Sequence, residues 1–234
     1  MDVLSAHRAL SDPTRLGIAQ ALLTRELSPG EIGEQWQLST SLAAHHIGVL
    51  ITAGLIVRRR SEHDARKSYL SLRRDSPGVS TLVGVGVVPL PAPRRVAFVC
   101  TRNSARSKLA AAYWRRVSRI GAVDAGTAPA SAPHPMTLRV AERRGLPIDP
   151  TTRDVAALTG DDLVIVVCDR AYEQWRPGVP RLHWSVPDPV ASSASSAFEA
   201  ACDDLQARVT ALHRQVSDQL SEAHPNPPYR RDTP

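Results

Sequence analysis

Cysteine is scarce in this chain of 234 residues, which contains only three. They stand at positions 100, 168 and 202, so no cysteine precedes position 100. Their spacing does not suggest pairs, and a few unpaired cysteines are typical of proteins that work in a reducing compartment. We therefore expect a cytoplasmic protein with free thiols rather than a secreted disulfide scaffold.

Long apolar runs and aromatic residues are also scarce. The longest apolar stretch, residues 79–91, is too short to span a bilayer, and charged residues interrupt the start of the chain where a secretory signal needs an apolar run. We therefore expect no membrane partner. Aromatic residues make up 4% of the chain, which leaves few rings to clamp a phosphotyrosine.

Basic residues are in excess, with a formal net charge of +6, and they cluster in one segment. Between Arg58 and Arg74, seven basic residues stand against Glu62 and Asp64. A local basic stripe of this kind indicates contact with nucleic acid, and a solvated charged face is the alternative interpretation.

The residue patterns divide the chain into two domains joined by a linker. Residues 1–74 show helical patterns over 15–27, 28–37 and 39–54, followed by a hairpin over 55–60 and 68–72. A short helix, a turn and a longer helix before a β-wing predict a winged helix-turn-helix domain that is mainly α. Gly, Val and Pro dominate residues 75–93, which we interpret as the linker, and we interpret residues 223–234 as a disordered tail.

Residues 94–222 alternate between strand and helix patterns. The strands are expected at 96–99, 122–125, 163–167 and 182–184, and the main helices at 108–118, 137–144 and 196–220. This order predicts a three-layer α/β domain with a four-stranded parallel sheet covered by helices on both faces. Ligands of such sheets bind beyond the carboxyl ends of the strands, where Cys100 and Cys168 both fall.

The most informative segment is VAFVCTRNSARSK, residues 96–108, in which a strand ends in Cys100 and a helix follows. Arg106 comes six residues after the cysteine. Loop N–H groups, the positive end of the helix dipole and a planar guanidinium together form a cradle for a tetrahedral oxyanion, and the same field favours the thiolate of Cys100. We assign this cradle to Thr101, Arg102, Asn103, Ser104, Ala105, Arg106 and Ser107.

Two side chains of this loop have more specific expected roles. Asn103 is expected to bond the loop backbone and hold its strained shape. Ser107 is expected to donate a hydrogen bond to the thiolate. The alternative interpretation of Cys100 is a buried structural cysteine at a strand end.

Two segments of the N-terminal domain, ALSDPTR at residues 9–15 and AAHHIGVLITAGLIVRRR at 43–60, resemble the arsenic-repressor (ArsR/SmtB) winged-helix family. The resemblance covers about residues 6–72 and implies a bacterial homodimeric repressor that binds a double-stranded DNA operator. Because this domain contains no cysteine, thiolate coordination of arsenite or of a soft metal within it is excluded, and we predict no metal site.

The helix that begins at Thr40 is expected to present its first residues to the major groove, while wing arginines reach phosphates or the minor groove. We interpret His46 as a packed core histidine. The residues predicted near DNA are Thr40, Ser41 and His45, and the predicted phosphate contacts are Arg58, Arg60 and Arg66.

Residues 95 to about 215 resemble the low-molecular-weight tyrosine phosphatase fold and, within it, the arsenate reductases. The similar phrases are FVCTRNSARSKLAAAYWRR, DAGTAPA, DDLVIVVCDRAYEQWRP and LHWSVPDPV, in that order. The resemblance implies that Cys100 attacks an arsenate or phosphate oxyanion, that the loop and Arg106 hold it, and that Asp188, followed by Pro189, is the general acid. A turn-forming Asp-Pro pair is the alternative interpretation of Asp188.

Cys168 separates the reductase from the phosphatase, because a reductase needs a second thiol to form a disulfide. The resemblance places Cys168 at the position of the second cysteine of thioredoxin-linked reductases, but Trp175 stands where those enzymes have a third cysteine. We therefore expect no bound cofactor and an external thiol reductant of the mycothiol/mycoredoxin, glutaredoxin or thioredoxin type. Alternatively, Cys168 is a structural cysteine, as we expect of Cys202.

Three functions follow from these observations. The favoured one is a fused transcriptional regulator and thiol-dependent arsenate reductase, because loop, arginine, acid and second thiol are all present. The alternatives are a DNA-binding repressor whose second domain senses an oxyanion or the redox state, and a low-molecular-weight tyrosine phosphatase fused to a DNA-binding domain.

Overall fold

The fold is described from a computed structural model, for residues 3–74, 76, 79, 93–175, 179–192 and 194–223. The predicted linker, 75–93, lies almost entirely outside these residues, as does the predicted tail from residue 224 onward.

The N-terminal domain consists of short helices followed by a two-stranded hairpin. The helices are α1 (Val3–Leu10), α2 (Pro13–Ala21), α3 (Pro29–Gln35) and α4 (Thr40–Thr52), and the strands are β1 (Ile56–Arg60) and β2 (Ser68–Leu72). Local chemistry sets the helix starts. Asp12 caps α2 by accepting from the Arg15 amide at 2.9 Å, and Ser28 and Glu31 form a reciprocal capping box on α3.

The predicted helix over residues 15–27 was wrong at its C-terminal end, because α2 stops at Ala21. Leu27 instead pairs with Leu70 of the wing through two backbone hydrogen bonds of 3.3 and 2.8 Å. The leucines at 22, 23 and 27 are all buried although the helix has ended, so helical periodicity alone could not show where it ends.

The wing strands β1 and β2 are antiparallel, with Ile56 opposite Leu72 and Arg60 opposite Ser68. The inner side of the hairpin closes a small core with the helices. The fully buried members of this core include Ile18, Leu22, Ile32, Ile47, Leu50, Leu55 and Ile56. This is the predicted winged helix-turn-helix.

The C-terminal domain contains a four-stranded parallel sheet with strand order β4-β3-β5-β6. Its elements are β3 (Arg95–Cys100), α5 (Arg106–Val117), β4 (Gly121–Gly126), α6 (Pro135–Arg143), β5 (Asp162–Val166), α7 (Asp169–Glu173), β6 (Arg181–His183), α8 (Pro189–Ser192) and α9 (Ser195–Ala223). Helices α5 and α9 pack on each other. The core contains the fully buried rings of Phe98, Trp114, Trp184 and Phe198. The predicted two-domain fold class is therefore confirmed.

The two domains pack directly against each other. The Glu26 amide donates to the His183 carbonyl at 2.8 Å, and the Trp184 indole donates to the Thr24 carbonyl at 2.6 Å. The sequence analysis did not anticipate this contact. Among the residues that the structure describes, no helix is long and apolar enough to cross a membrane.

Candidate active site

The loop between β3 and α5 begins at Cys100, at the carboxyl end of the buried strand β3. The carbonyls of Cys100, Thr101, Arg102 and Ser104 accept hydrogen bonds of 2.8–3.1 Å from the amides of residues 127, 128, 130 and 134. In a trans peptide unit the carbonyl and the next amide point in opposite directions. The loop amides therefore point away from that segment, as an anion cradle requires.

The loop follows the backbone of β4 so closely that only glycine fits beneath it. A Cβ added at Gly126 would lie 2.7 Å from the Thr101 carbonyl oxygen and 2.9 Å from the backbone nitrogen of Asn103. Asn103 adopts a left-handed conformation with φ of +48°, which asparagine tolerates better than most residues. The backbone shape of the loop thus depends on both positions.

Asn103 is fully buried, and its amide connects three parts of the domain. The amide nitrogen Nδ2 donates to Ser107 Oγ and to Asp124 Oδ1, each at 3.0 Å, and Oδ1 accepts from the Arg153 amide at 2.8 Å. The expectation that Asn103 would bond the backbone of its own loop was wrong. Its partners come from α5, β4 and residue 153, because the short loop folds over all three.

Ser107 lies 3.1 Å from the sulfur of Cys100, measured from Oγ to Sγ. Because Ser107 Oγ already accepts from Asn103, its own proton is free to point at the sulfur. This is the geometry in which Ser107 would stabilise a thiolate. Its role in catalysis stays a prediction.

Asp124 is the buried charge behind this arrangement. Besides Asn103, its carboxylate binds the ammonium group of Lys108 and, at 2.8 Å, the guanidinium of Arg115. Asp124 and Lys108 are both fully buried. The sequence analysis missed Asp124 as a functional residue, although a carboxylate inside an apolar strand is itself a signal of a buried polar network.

Arg106 is the first residue of α5, and its guanidinium points toward the segment that follows β6. Nη1 donates to the Val186 carbonyl at 3.0 Å, and Nη2 lies 3.2 Å from Asp188 Oδ2. Burial by itself would lower the pKa of Arg106, but the neighbouring Cys168, Cys100 and Asp188 raise it above its usual value. The guanidinium therefore stays charged in the site.

Cys168 follows β5, the strand next to β3, so the two cysteines lie at the same edge of the sheet. Its sulfur accepts from the Ala171 amide at 3.4 Å and lies 3.5 Å from Thr101 Oγ1 in the loop between β3 and α5. Burial raises the pKa of Cys168, and the charge of Arg106 opposes the rise. Both cysteines are free thiols. Cys202 is buried in α9, where it packs in the core.

Two cavities meet at Arg106 and Asp188. One, of about 470 Å³, contains Cys100 and His134, and the other, of about 490 Å³, contains Cys168 and Thr101. Arg102 lines both cavities. Among the described residues, no group of three or more His, Cys, Asp or Glu side chains is arranged to hold a metal.

The second cavity is also lined by the N-terminal domain. Glu62, in the turn of the wing, lies with Oε2 3.4 Å from Arg106 Nη1, and its carboxylate accepts from the Asp188 amide at 3.0 Å. Burial raises the pKa of Glu62, partly offset by the Asp188 amide and Arg106. No pattern in the sequence pointed to Glu62, because it lies 44 residues from Arg106 in a different domain.

The residues predicted to read DNA lie on the surface of the N-terminal domain. Thr40 and Ser41 are exposed in the first turn of α4, and Arg58 and Arg60 are exposed on β1. Arg66 is also exposed, but its guanidinium pairs with Asp64 of the wing at 3.0 Å. His45, also predicted near DNA, lines a groove between α1 and α4. His46 is buried, as expected of a core histidine.

Comparison with known proteins identifies both domains. Residues 95–222 match the family model of the low molecular weight phosphotyrosine protein phosphatases, over more than half of the chain. The chain belongs to this family. The domain is also 28% identical over 124 residues to arsenate reductase 1 of Bacillus cereus (strain ATCC 10987 / NRS 248), covering 50% of this chain and 91% of that protein. The crystal structure of an arsenate reductase from Archaeoglobus fulgidus DSM 4304 matches with 26% identity and a TM-score of 0.45, over 50% of this chain and 97% of that one.

Residues 12–67 match the MarR family model. The N-terminal region is 41% identical over 71 residues to the uncharacterized HTH-type transcriptional regulator YceK of Bacillus subtilis (strain 168), covering 30% of this chain and 68% of that protein. The protein is therefore a fusion of a helix-turn-helix regulator domain with a phosphatase-fold domain. The arsenic-repressor subtype expected from the motifs is not supported, because the matching model is MarR.

Proposed function

We propose that this protein is a fused transcriptional regulator and thiol-dependent arsenate reductase that works in the cytoplasm. The observation that carries the proposal is the position of Cys168. It is a second thiol at the edge of the sheet that holds Cys100, 3.5 Å from Thr101 of the catalytic loop. The similarity to a protein named arsenate reductase supports the same interpretation.

In the first step the Cys100 thiolate attacks the arsenic atom of arsenate, held by the loop amides and Arg106. A sulfur–arsenic bond forms and an arsenic–oxygen bond breaks. The leaving oxygen departs as water once it is protonated, and Asp188 is the acid placed to supply a proton, because its side chain lines the same cavity as Cys100 and Arg106. The Ser107 hydroxyl stabilises the thiolate before the attack.

In the second step the Cys168 thiolate attacks the sulfur of Cys100. A disulfide forms, the sulfur–arsenic bond breaks, and its electron pair stays on arsenic, which leaves as arsenite. Cys168 must lose its proton first. Its pKa is raised by burial, so the thiol is protonated at rest, and Arg106 is the charge that favours its ionisation.

An external thiol must then reduce the disulfide. Trp175, seven residues after Cys168, packs against the core and donates its indole N–H to the Val179 carbonyl at 3.2 Å. Because this position offers no thiol, we assign regeneration to a reductant of the mycothiol/mycoredoxin, glutaredoxin or thioredoxin type. We further propose that the N-terminal domain binds operator DNA as part of a homodimer.

A phosphatase is the second candidate, because the same loop with Asp188 would also suit hydrolysis of a phosphate ester. In that case Cys100 forms a phosphocysteine that water hydrolyses, and Cys168 takes no part in the chemistry. The role of Cys168 therefore separates the two functions.

The test is turnover of arsenate and of para-nitrophenyl phosphate, with each class of thiol reductant supplied in turn. We expect Cys100→Ser to abolish both activities and Cys168→Ser to abolish only arsenate reduction. Cys202→Ala is the matched control, because Cys202 is buried in α9, and it should retain both activities. Arsenite production that survives in Cys168→Ser would contradict the two-thiol mechanism.

A further inference from the structure

The wing turn, residues 61–67, docks on the catalytic domain beside its oxyanion loop. Ser61 Oγ donates to Glu173 Oε1 at 2.6 Å, and Tyr69 at the start of β2 donates to the same oxygen at 3.1 Å. The Glu62 amide donates to Asp169 Oδ2 at 2.9 Å. In winged-helix proteins the wing is a part that can reach DNA, so here a DNA-binding element is held at the edge of a candidate active site.

This docking brings a carboxylate to two of the groups that surround the site. The Glu62 side chain contacts Arg106 Nη1 at 3.4 Å and accepts from the Asp188 amide at 3.0 Å through both oxygens. Arg106 is the cationic residue with which α5 begins, and Asp188 is the candidate acid. Glu62 thus offers to Arg106 the kind of ligand that a tetrahedral oxyanion would offer.

A bound oxyanion and the Glu62 carboxylate would repel each other. Arsenate and phosphate carry one or two negative charges at neutral pH, and the site already contains Asp188 and Asp169 close to Glu62. Arg106 is only 8% exposed, so water screens its charge poorly. Arg102 and Arg170 also line the cavity, but Arg106 is the arginine that pairs with both Glu62 and Asp188, so an oxyanion held by Arg106 must share its guanidinium with two carboxylates.

We propose that Glu62 of the wing competes with the oxyanion for Arg106, so that oxyanion binding at the catalytic loop and docking of the wing weaken each other. This inference rests on the proposed function only in taking Arg106 as the oxyanion's ligand. The coupling is reciprocal: if docked Glu62 lowers the affinity for the oxyanion by some factor, the bound oxyanion lowers the affinity of the wing for its docking site by the same factor. The occupancy of the loop would then set how available the wing is to DNA.

The test measures the affinity of the full chain for inorganic phosphate by calorimetry, in a Cys100→Ser background that cannot turn over. Glu62→Gln removes the competing charge, and Glu62→Ala serves as a second variant. The matched control is Asp64→Asn, which removes a carboxylate two residues away in the same turn, where it pairs with exposed Arg66. Hydrogen exchange of residues 61–67, with and without saturating phosphate, reports on the wing.

We expect Glu62→Gln to tighten phosphate binding about fivefold, as for loss of a partly exposed charge interaction, and Asp64→Asn to leave it unchanged. Phosphate should speed amide exchange in the wing of the otherwise unaltered chain and have a smaller effect in Glu62→Gln. In the active enzyme, Glu62→Gln should lower the KM for arsenate more than it changes kcat.

Unchanged or weaker phosphate binding in both Glu62 variants would overturn the competition, and tighter binding without faster wing exchange would overturn its coupling to the wing. Absence of phosphate binding in every variant would refute the oxyanion site itself. If Glu62→Gln tightens phosphate binding but the protein reduces no arsenate, the inference stands and the proposed function fails.

Discussion

The loop between β3 and α5 and the surface predicted to contact DNA are built in opposite ways. Around the loop, Asn103, Ser107 and Asp124 are fully buried and connected by hydrogen bonds of 3.0 Å. On the N-terminal domain, Thr40, Ser41 and the wing arginines lie exposed on regular elements. The polar groups around the loop are therefore held in place before a ligand binds. The exposed residues of the N-terminal domain offer charged and polar groups that a partner must order.

The difference suits the two ligands that we propose. A small tetrahedral anion has few atoms with which to select a site, so the donors must be held in place beforehand, at a cost in buried polar groups that only a closed network can offset. DNA presents many phosphates, and mobile surface cations bind them through charge alone. The contact between the two domains is intermediate: it is buried, like the network behind the loop, but its partners belong to two different domains.

The largest effect is expected for Asp124→Asn, which would break the network behind the loop. The change removes the carboxylate that fully buried Lys108 and partly buried Arg115 share, and it costs about 3–5 kcal/mol of unfolding free energy. Urea unfolding measures this change, and turnover of either substrate should be lost. Asp161→Asn is the control, because Asp161 is 73% exposed and pairs with exposed Arg94. A loss below about 1 kcal/mol would show that the network is not what organises the loop.

An intermediate effect is expected for Glu26→Gln, at the contact between the domains. The Glu26 carboxylate binds the buried Arg208 guanidinium of α9 and accepts from the Ser185 amide at 3.2 Å. Burial by itself would lower the pKa of Arg208, and Glu26 is the strongest influence that raises it. The neutral side chain leaves Arg208 with Asp204 alone, which costs about 2–4 kcal/mol.

Hydrogen exchange should show faster opening of residues 24–27 and 183–185 in Glu26→Gln, while the loop between β3 and α5 stays protected. Glu199→Gln is the control, since Glu199 pairs with Arg143 and Arg144 within the C-terminal domain. Equal protection at the contact in both variants would mean that the domains do not depend on the Glu26–Arg208 pair.

The smallest effect on stability is expected for the double variant Arg58→Ala and Arg60→Ala on the exposed face of β1. Both side chains are exposed, so the unfolding free energy should change by less than about 0.5 kcal/mol per site. Affinity for unrelated DNA duplexes should fall equally, and the slope of log affinity against log salt should become shallower by about 1.8 for two lost phosphate contacts. Arg119→Ala, an exposed change in the C-terminal domain, is the control. Loss for one duplex only would indicate base recognition instead.

Much of the fold could be predicted because its signals are local. The cap of α2 at Asp12 and the capping box of Ser28 and Glu31 are adjacent in sequence to the helices they start. The alternation of strand and helix in the C-terminal domain is likewise a property of neighbouring residues. The end of α2 was missed because the strand partner of Leu27 is Leu70, far along the chain.

The residues of the candidate site also fall into those that local sequence patterns predict and those that they do not. Cys100, Arg106 and Cys168 were found because they stand at strand ends and at a fixed spacing, which topology alone brings to one edge of the sheet. The partners of Asn103 and the approach of Glu62 could not be found, because each joins segments that no local pattern relates.

The amino-acid sequence by itself determined the two domains, the order of their elements and the loop that would hold an oxyanion, since each depends on periodicity, capping and spacing over a few neighbouring residues. Only the tertiary structure decided that the wing reaches Arg106, at the end of the loop between β3 and α5, and that Asp124 anchors this loop through Asn103. Hydrogen bonds and ion pairs between distant segments depend on ångström distances, and those distances exist only once the chain has packed.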